Sequence, residues 1–170
     1  MNLENIKNYI WLLNIIAATL GLILTFIPIV HHSELGLSSD YFLVGFKMDH
    51  YPIGDQPTYY ESSTLIYRVG MTTLIIIVIG SILLIMSSLP LLKEKLNAWP
   101  KAWIFSIFWL FCGLLMISGI IYYYLGMNSV DSSFWNYWSL SGGIVVLIGG
   151  AIAISSAIFR EIAPKLIKNR

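Results

Sequence analysis

Three histidines, His31, His32 and His50, share the stretch from residue 31 to residue 63 with Glu34 and Asp49, and imidazoles beside carboxylates either bind metals or respond to protons. A tight metal site needs several such side chains converging at about 2 Å from the ion. His31 and His32 cannot act together, because neighbours point to opposite sides of a strand and diverge by about 100° on a helix. No HxH, HxxxH or HExxH spacing occurs anywhere in the chain. A shared site would need His50 to fold back onto one of the pair. Otherwise the three histidines serve surface contact, capping or pH sensing, and no cofactor is expected.

Other chemistries fare worse. Cys112 is the only cysteine, which excludes paired-thiol redox chemistry and any disulfide within the chain. No serine sits in a GxSxG elbow, and the glycine-rich "SGGIVVLIGG" lacks the lysine of a phosphate loop. Arg68 has two readings, a snorkelling or ion-paired residue (with Glu61 or Asp131) and a holder of an anionic ligand. Asn14 is expected to make a hydrogen bond between helices.

These residues must be positioned by membrane-spanning helices. Hydrophobic residues make up 57% of the chain and charged residues only 11%, against about 25% charged in an ordinary soluble domain. Four stretches, about 9–30, 69–92, 102–125 and 138–159, are free of Asp, Glu, Lys and Arg and reach the roughly 20 residues that a helix needs to cross a bilayer. The first exceeds a signal-peptide core and lacks a small-x-small cleavage site, so it reads as a permanent span. Because lipid cannot satisfy the backbone of an open strand, the expected fold is all-α: a single domain over residues 1–170, an antiparallel four-helix bundle. No acid lies within a span, which weighs against proton-coupled transport.

Charge sets the orientation. One side carries Lys7, Lys93, Lys95, Lys101, Arg160, Lys165, Lys168 and Arg170 against three acids, a balance of +5. The other carries Lys47 and Arg68 against six acids, a balance of −4, which together give the net +1. Both termini are therefore expected in the cytoplasm of a multi-pass plasma-membrane protein, with the acidic loop outside. Trp99 and Trp103 at the inner turn, and Tyr122, Tyr123, Tyr124, Trp135, Tyr137 and Trp138 at the outer ends, suit the two headgroup boundaries. The expected partners are the lipid bilayer and other membrane subunits or a second copy; nothing resembles a nucleic-acid surface.

Helices in lipid associate through small residues and shared hydrogen bonds. Each span carries a stripe of them: Asn14, Ala18, Gly21 and Thr25 on the first; Thr73, Gly80 and Ser87 on the second; Cys112 and Gly119 on the third. The fourth bears Ser139, Gly142, Val146, Gly149, Ala153 and Ser156 at heptad spacing. That seam either closes the bundle or docks another subunit. In the loop of residues 31–63, "VGFKMDH" alternates as a strand with Val44, Phe46 and Met48 on one face and Lys47 and Asp49 on the other. "PIGDQP" reads as a turn and "TYYESSTLIY" as the return, giving a β-hairpin over the bundle.

With inner termini, a large first outer loop and a small second one, the layout resembles four-span proteins of the claudin and tetraspan kind. That resemblance implies architecture alone. The claudin-type loop carries a Trp-rich motif and a cysteine pair, and residues 31–63 contain neither Trp nor Cys. The lack of outer cysteines and N-glycosylation sequons suits a prokaryotic membrane, archaea included. The leading expectation is a non-enzymatic membrane protein acting through contacts, as an accessory subunit or a surface-facing interaction protein. A small subunit of a respiratory or metal-dependent oxidising complex is the first alternative, and an oligomeric channel or carrier lined by Asn14, Thr25 and the Ser/Gly stripe is the second.

Overall fold

The computed structural model describes residues 3–24, 26–34, 37–89, 103–130 and 141–168. Among the described residues four helices, α1 (Leu3–Ile23), α2 (Leu65–Ser88), α3 (Trp103–Val130) and α4 (Ser141–Lys168), carry a small antiparallel sheet inserted between α1 and α2. The fold is therefore mostly helical but not all-α. Three segments, Leu65–Ser88, Trp103–Val130 and Gly142–Ile162, are long and apolar enough to cross a membrane, with mean hydropathies of 2.6, 2.4 and 2.2. Their outward positions are apolar, Ile75, Ile79, Ile107, Phe111, Ile144 and Ile148 among them, while Thr73, Ser81, Ser106 and Ser156 point inward. Such an inside-out distribution is favourable in a lipid solvent and costly in water.

The helices pack in a ring, each antiparallel to the next, with α4 closing on α1. The register is set by small residues. Gly21 of α1 abuts Ser81 of α2, a methyl at Gly119 of α3 would lie 3.1 Å from Ile77, and one at Gly113 would lie 2.7 Å from the Gly150 carbonyl of α4. On the last seam, methyls at Gly142 and Gly149 would meet Leu24 at 2.5 Å and the Ala17 carbonyl at 2.8 Å. Ala18 and Val146 are buried as well, Ala153 lies against Gly113 of α3, and Gly80 faces Met116 and the Cys112 carbonyl. The glycine-rich stripe of α4 is thus occupied by helices of the same chain. Hydrogen bonds also join α2 to α3: Thr73 donates to the Gly119 carbonyl at 3.3 Å, and the Trp109 indole donates to Ser87 at 3.0 Å.

Several boundaries differ from the sequence reading. The first helix ends at Ile23 rather than Val30, because Pro28 cannot donate to a helical ladder and restricts the residue before it. Beyond it the chain turns, Ile29 donates its N–H to the Tyr41 carbonyl, and Val30 opens the first strand. The second helix starts four residues early, at Leu65, where the Thr64 hydroxyl caps it by accepting from the Tyr67 N–H. Thr25, Asp131, Trp135, Tyr137, Trp138, Ser139 and the basic turn at 93–101 lie outside the described residues.

In place of one hairpin there are four strands in sequential order: β1 (Val30–Glu34), β2 (Leu37–Phe42), β3 (Phe46–Tyr51) and β4 (Gly54–Tyr59). The hairpin expected from residues 44–50 and 58–67 corresponds to β3–β4, but its turn is only Pro52–Ile53, Gly54, Asp55, Gln56 and Pro57 already pair with β3, and residues 65–67 of the expected return strand open α2 instead. Val44 sits in the β2–β3 turn rather than on a strand, beside Gly45, whose φ of 84° and contact with the Tyr67 ring both demand glycine. The sheet lies over the end of the bundle where α1 finishes and α2 begins, with Leu43 buried against Gly70. Both terminal helix ends lie at the opposite end.

Candidate functional site

Directly paired residues of an antiparallel sheet share a face. The pairs Val30 with Tyr41, Ser39 with Asp49 and Lys47 with Thr58 therefore lie on one face, the one whose Val30 and Tyr41 meet the helix core. The pairs His31 with Asp40 and His50 with Asp55 lie on the other. The turn lengths fix this register, and it brings together two histidines that are nineteen positions apart.

On that outer face a row of side chains crosses the sheet, one from each strand. Asp40 of β2 receives His31 Nδ1 of β1 on Oδ1 at 2.6 Å and His50 Nε2 of β3 on Oδ2 at 3.1 Å. The other nitrogen of His50, Nδ1, lies 2.8 Å from Asp55 Oδ1 of β4. A neutral imidazole has one N–H, so His50 can donate to both carboxylates only as the cation. The bond to Asp55, then that to Asp40, accordingly hold its pKa above the usual histidine value, against a smaller opposing effect of desolvation.

The bundle-facing side holds a second polar cluster. Asp49 is 8% exposed, and its carboxylate accepts from Ser39 at 2.5 Å and Thr58 at 3.3 Å and pairs with Lys47 Nζ at 3.1 Å. Burial pushes its pKa up, but the hydrogen bonds and the lysine charge outweigh this and bring it below the ordinary aspartate value. The polarity of β3 is therefore the reverse of a simple reading: Asp49 is the buried member and Met48 is half-exposed. Burial, with the phenol of Tyr41 and the charge of Asp49 nearby, raises the Tyr60 phenol far above its normal range.

His31 and His50 are joined through Asp40, whereas His32 lies on the opposite face, as adjacent strand positions must. Among the described residues no three His, Cys, Asp or Glu side chains are arranged to hold a metal ion. Arg68 is exposed on the first turn of α2 and makes no ion pair among the described residues; Glu61 accepts from Ser63 instead. Asn14 is fully buried, yet neither atom of its amide has a hydrogen-bond partner, so the helix-to-helix bond expected of it is not made. Sequence reasoning passed over Asp40 and Asp55. The signal available was their distance of nine and five positions from His31 and His50, across short turns. No family model matches the chain, and no curated protein sequence matches it significantly.

Proposed function

We propose that the chain is a four-span plasma-membrane protein that acts by contact, presenting the sheet outside the cell to another membrane or surface protein. The observation that carries this reading is an exposed apolar rim on a braced sheet: Ile53, in the β3–β4 turn, is 92% exposed and Tyr59, on β4, 76%, and the strands they belong to or join are tied by the His31–Asp40–His50–Asp55 row. Large apolar side chains held in water on a rigid support are typical of contact surfaces. Four helices in an up-and-down ring support a four-span arrangement, since both terminal helix ends then fall on one side and the sheet on the other. The excess of Lys and Arg at those terminal ends supports a cytoplasmic placement.

The contact face is the sheet's surface rather than its free edge. Tyr60 donates to the Gly45 carbonyl, which turns the N–H groups of even-numbered β4 residues toward β3 and those of odd-numbered ones outward. Pro57 occupies an outward position, so it costs no ladder bond and leaves the edge short of a donor.

The test is photo-crosslinking from position 53 in native membranes, followed by gentle-detergent purification and mass spectrometry. A stoichiometric partner that is lost in an Ile53→Asp, Tyr59→Asp variant with an intact sheet supports the reading. A chain that crosslinks to nothing refutes it. Labelling a Ser62→Cys variant of intact cells with an impermeant maleimide tests the orientation separately.

A further inference from the structure

Between α3 and α4, at the end away from the sheet, runs a groove of about 370 Å³ open to the helix exterior. Its character changes along its length. Ile107, Leu110, Ala157 and Ile158 line the inner part, and Trp103 and Glu161 line the part next to the helix ends. Ser106 lies between them, 4% exposed, with a hydroxyl that has no hydrogen-bond partner. A buried hydroxyl without a partner costs free energy, and more so where no water reaches it. An apolar channel, a serine partway along it, and a carboxylate and an indole that both line its mouth match an amphiphile with a positively charged head.

We propose that this groove binds one chain of an amine-headed glycerophospholipid. The acyl chain lies along Leu110 and Ile158, the Ser106 hydroxyl, sealed off in this structure, turns about its Cα–Cβ bond into the groove to donate to an oxygen at the glycerol neck, and the ammonium sits between Glu161 and the Trp103 ring. An aromatic face and a carboxylate both attract such a cation, and the volume is within the about 300–1,000 Å³ usual for small-molecule sites. The groove between α1 and α4, about 480 Å³, also has a buried serine, Ser156, but none of its lining residues carries a charge to select a head. The proposal rests on the membrane reading above.

Release of the chain from membranes by alkaline carbonate without detergent would overturn the membrane reading itself. For the lipid, the full chain is purified in detergent, incubated with phosphatidylethanolamine or phosphatidylglycerol, and assayed for retained phosphorus after detergent exchange. The expected result is retention of the ethanolamine lipid, several-fold weaker retention of the glycerol lipid, and loss of retention in Ser106→Leu and Ala157→Phe, which fill the groove. Equal retention of the two lipids, no retention, or undiminished retention in the filled variants overturns the proposal. Ser106→Ala provides a test that does not depend on a bulky variant folding. Without lipid it should melt no lower than the parent, since it deletes an unpartnered hydroxyl. With phosphatidylethanolamine the parent should gain more thermal stability than the variant, and equal gains would refute the role of Ser106.

Discussion

Asp40 and His50 are not opposite one another: Asp40 pairs directly with Met48, and the 3.1 Å contact to His50 Nε2 is a diagonal across β2 and β3. Because the other Asp40 oxygen faces His31, one carboxylate links three strands, and His50 extends the link to Asp55 on the fourth. Asp40→Asn, which breaks the row on both sides, should therefore loosen the sheet more than either His31→Gln or Asp55→Asn, each of which breaks the row at one end. Amide exchange over residues 38–51 measures this, and equal effects from all three substitutions would show that the row is not connected.

Acidity should change the sheet in a defined window. His50 has a raised pKa, so its stabilising contribution is complete below the unfolded value of about 6.5 and disappears as pH climbs through the higher folded value. Asp49 has a lowered pKa, so its contribution is present above the unfolded value of about 3.9 and is lost as pH falls through the folded value. The groups facing His50 are Asp40 with its attached His31, Asp55, and the directly paired Ser38. The sheet should be most protected between about pH 4 and 6.5 and looser at pH 8. Exchange protection, corrected for intrinsic rates, should drop from pH 5.5 to 8 in the parent and stay flat in His50→Gln. A flat parent would refute the argument.

The second, third and fourth helices were legible in the sequence because isoleucine- and leucine-rich runs free of charge leave no alternative in lipid. The end of the first was not, since apolarity continues through Ile27, Ile29 and Val30 after the helix has ended at Ile23 and the Phe26 N–H has closed a turn onto the Ile23 carbonyl. Strands β1 and β2 were hidden for a different reason: "VHHSE" and "LSSDYF" are poor in β-branched residues and owe their extended form to pairing, β2 with β3 and β1 with β2. The stripe Gly142–Gly149–Ala153 could be picked out by spacing, but only the contacts show that Gly142 and Gly149 meet Leu24 and Ala17 of α1 while Ala153 meets Gly113 of α3. For the histidines, spacing excluded joint action by His31 and His32 yet could not supply Asp40, whose role depends on a register set by two turns.

Pro57 should protect the free edge of the sheet. Pro57→Val restores an outward N–H between the outward groups of Asp55 and Tyr59 without touching the bonds to β3. The variant should keep its fold and gain a tendency to self-associate through β4. Light scattering of the purified protein in detergent would detect it, and a variant as monodisperse as the parent would mean that the edge is protected by something else.

The tight α1–α4 seam predicts a loss of stability within the chain rather than the release of a partner. A methyl at Gly149 would lie 2.8 Å from the Ala17 carbonyl and 3.1 Å from the Met116 side chain. The first neighbour is backbone and cannot swing aside, so Gly149→Leu must push α4 away from α1. Overpacking of this kind costs about 1–3 kcal/mol, and immovable backbone places the effect toward the upper end. Thermal unfolding in detergent should show a clearly lowered midpoint at unchanged oligomeric state. A variant that melts like the parent but loses a co-purifying chain would instead make the seam an interface with another subunit, and would require α1 and α4 to lie farther apart than they do.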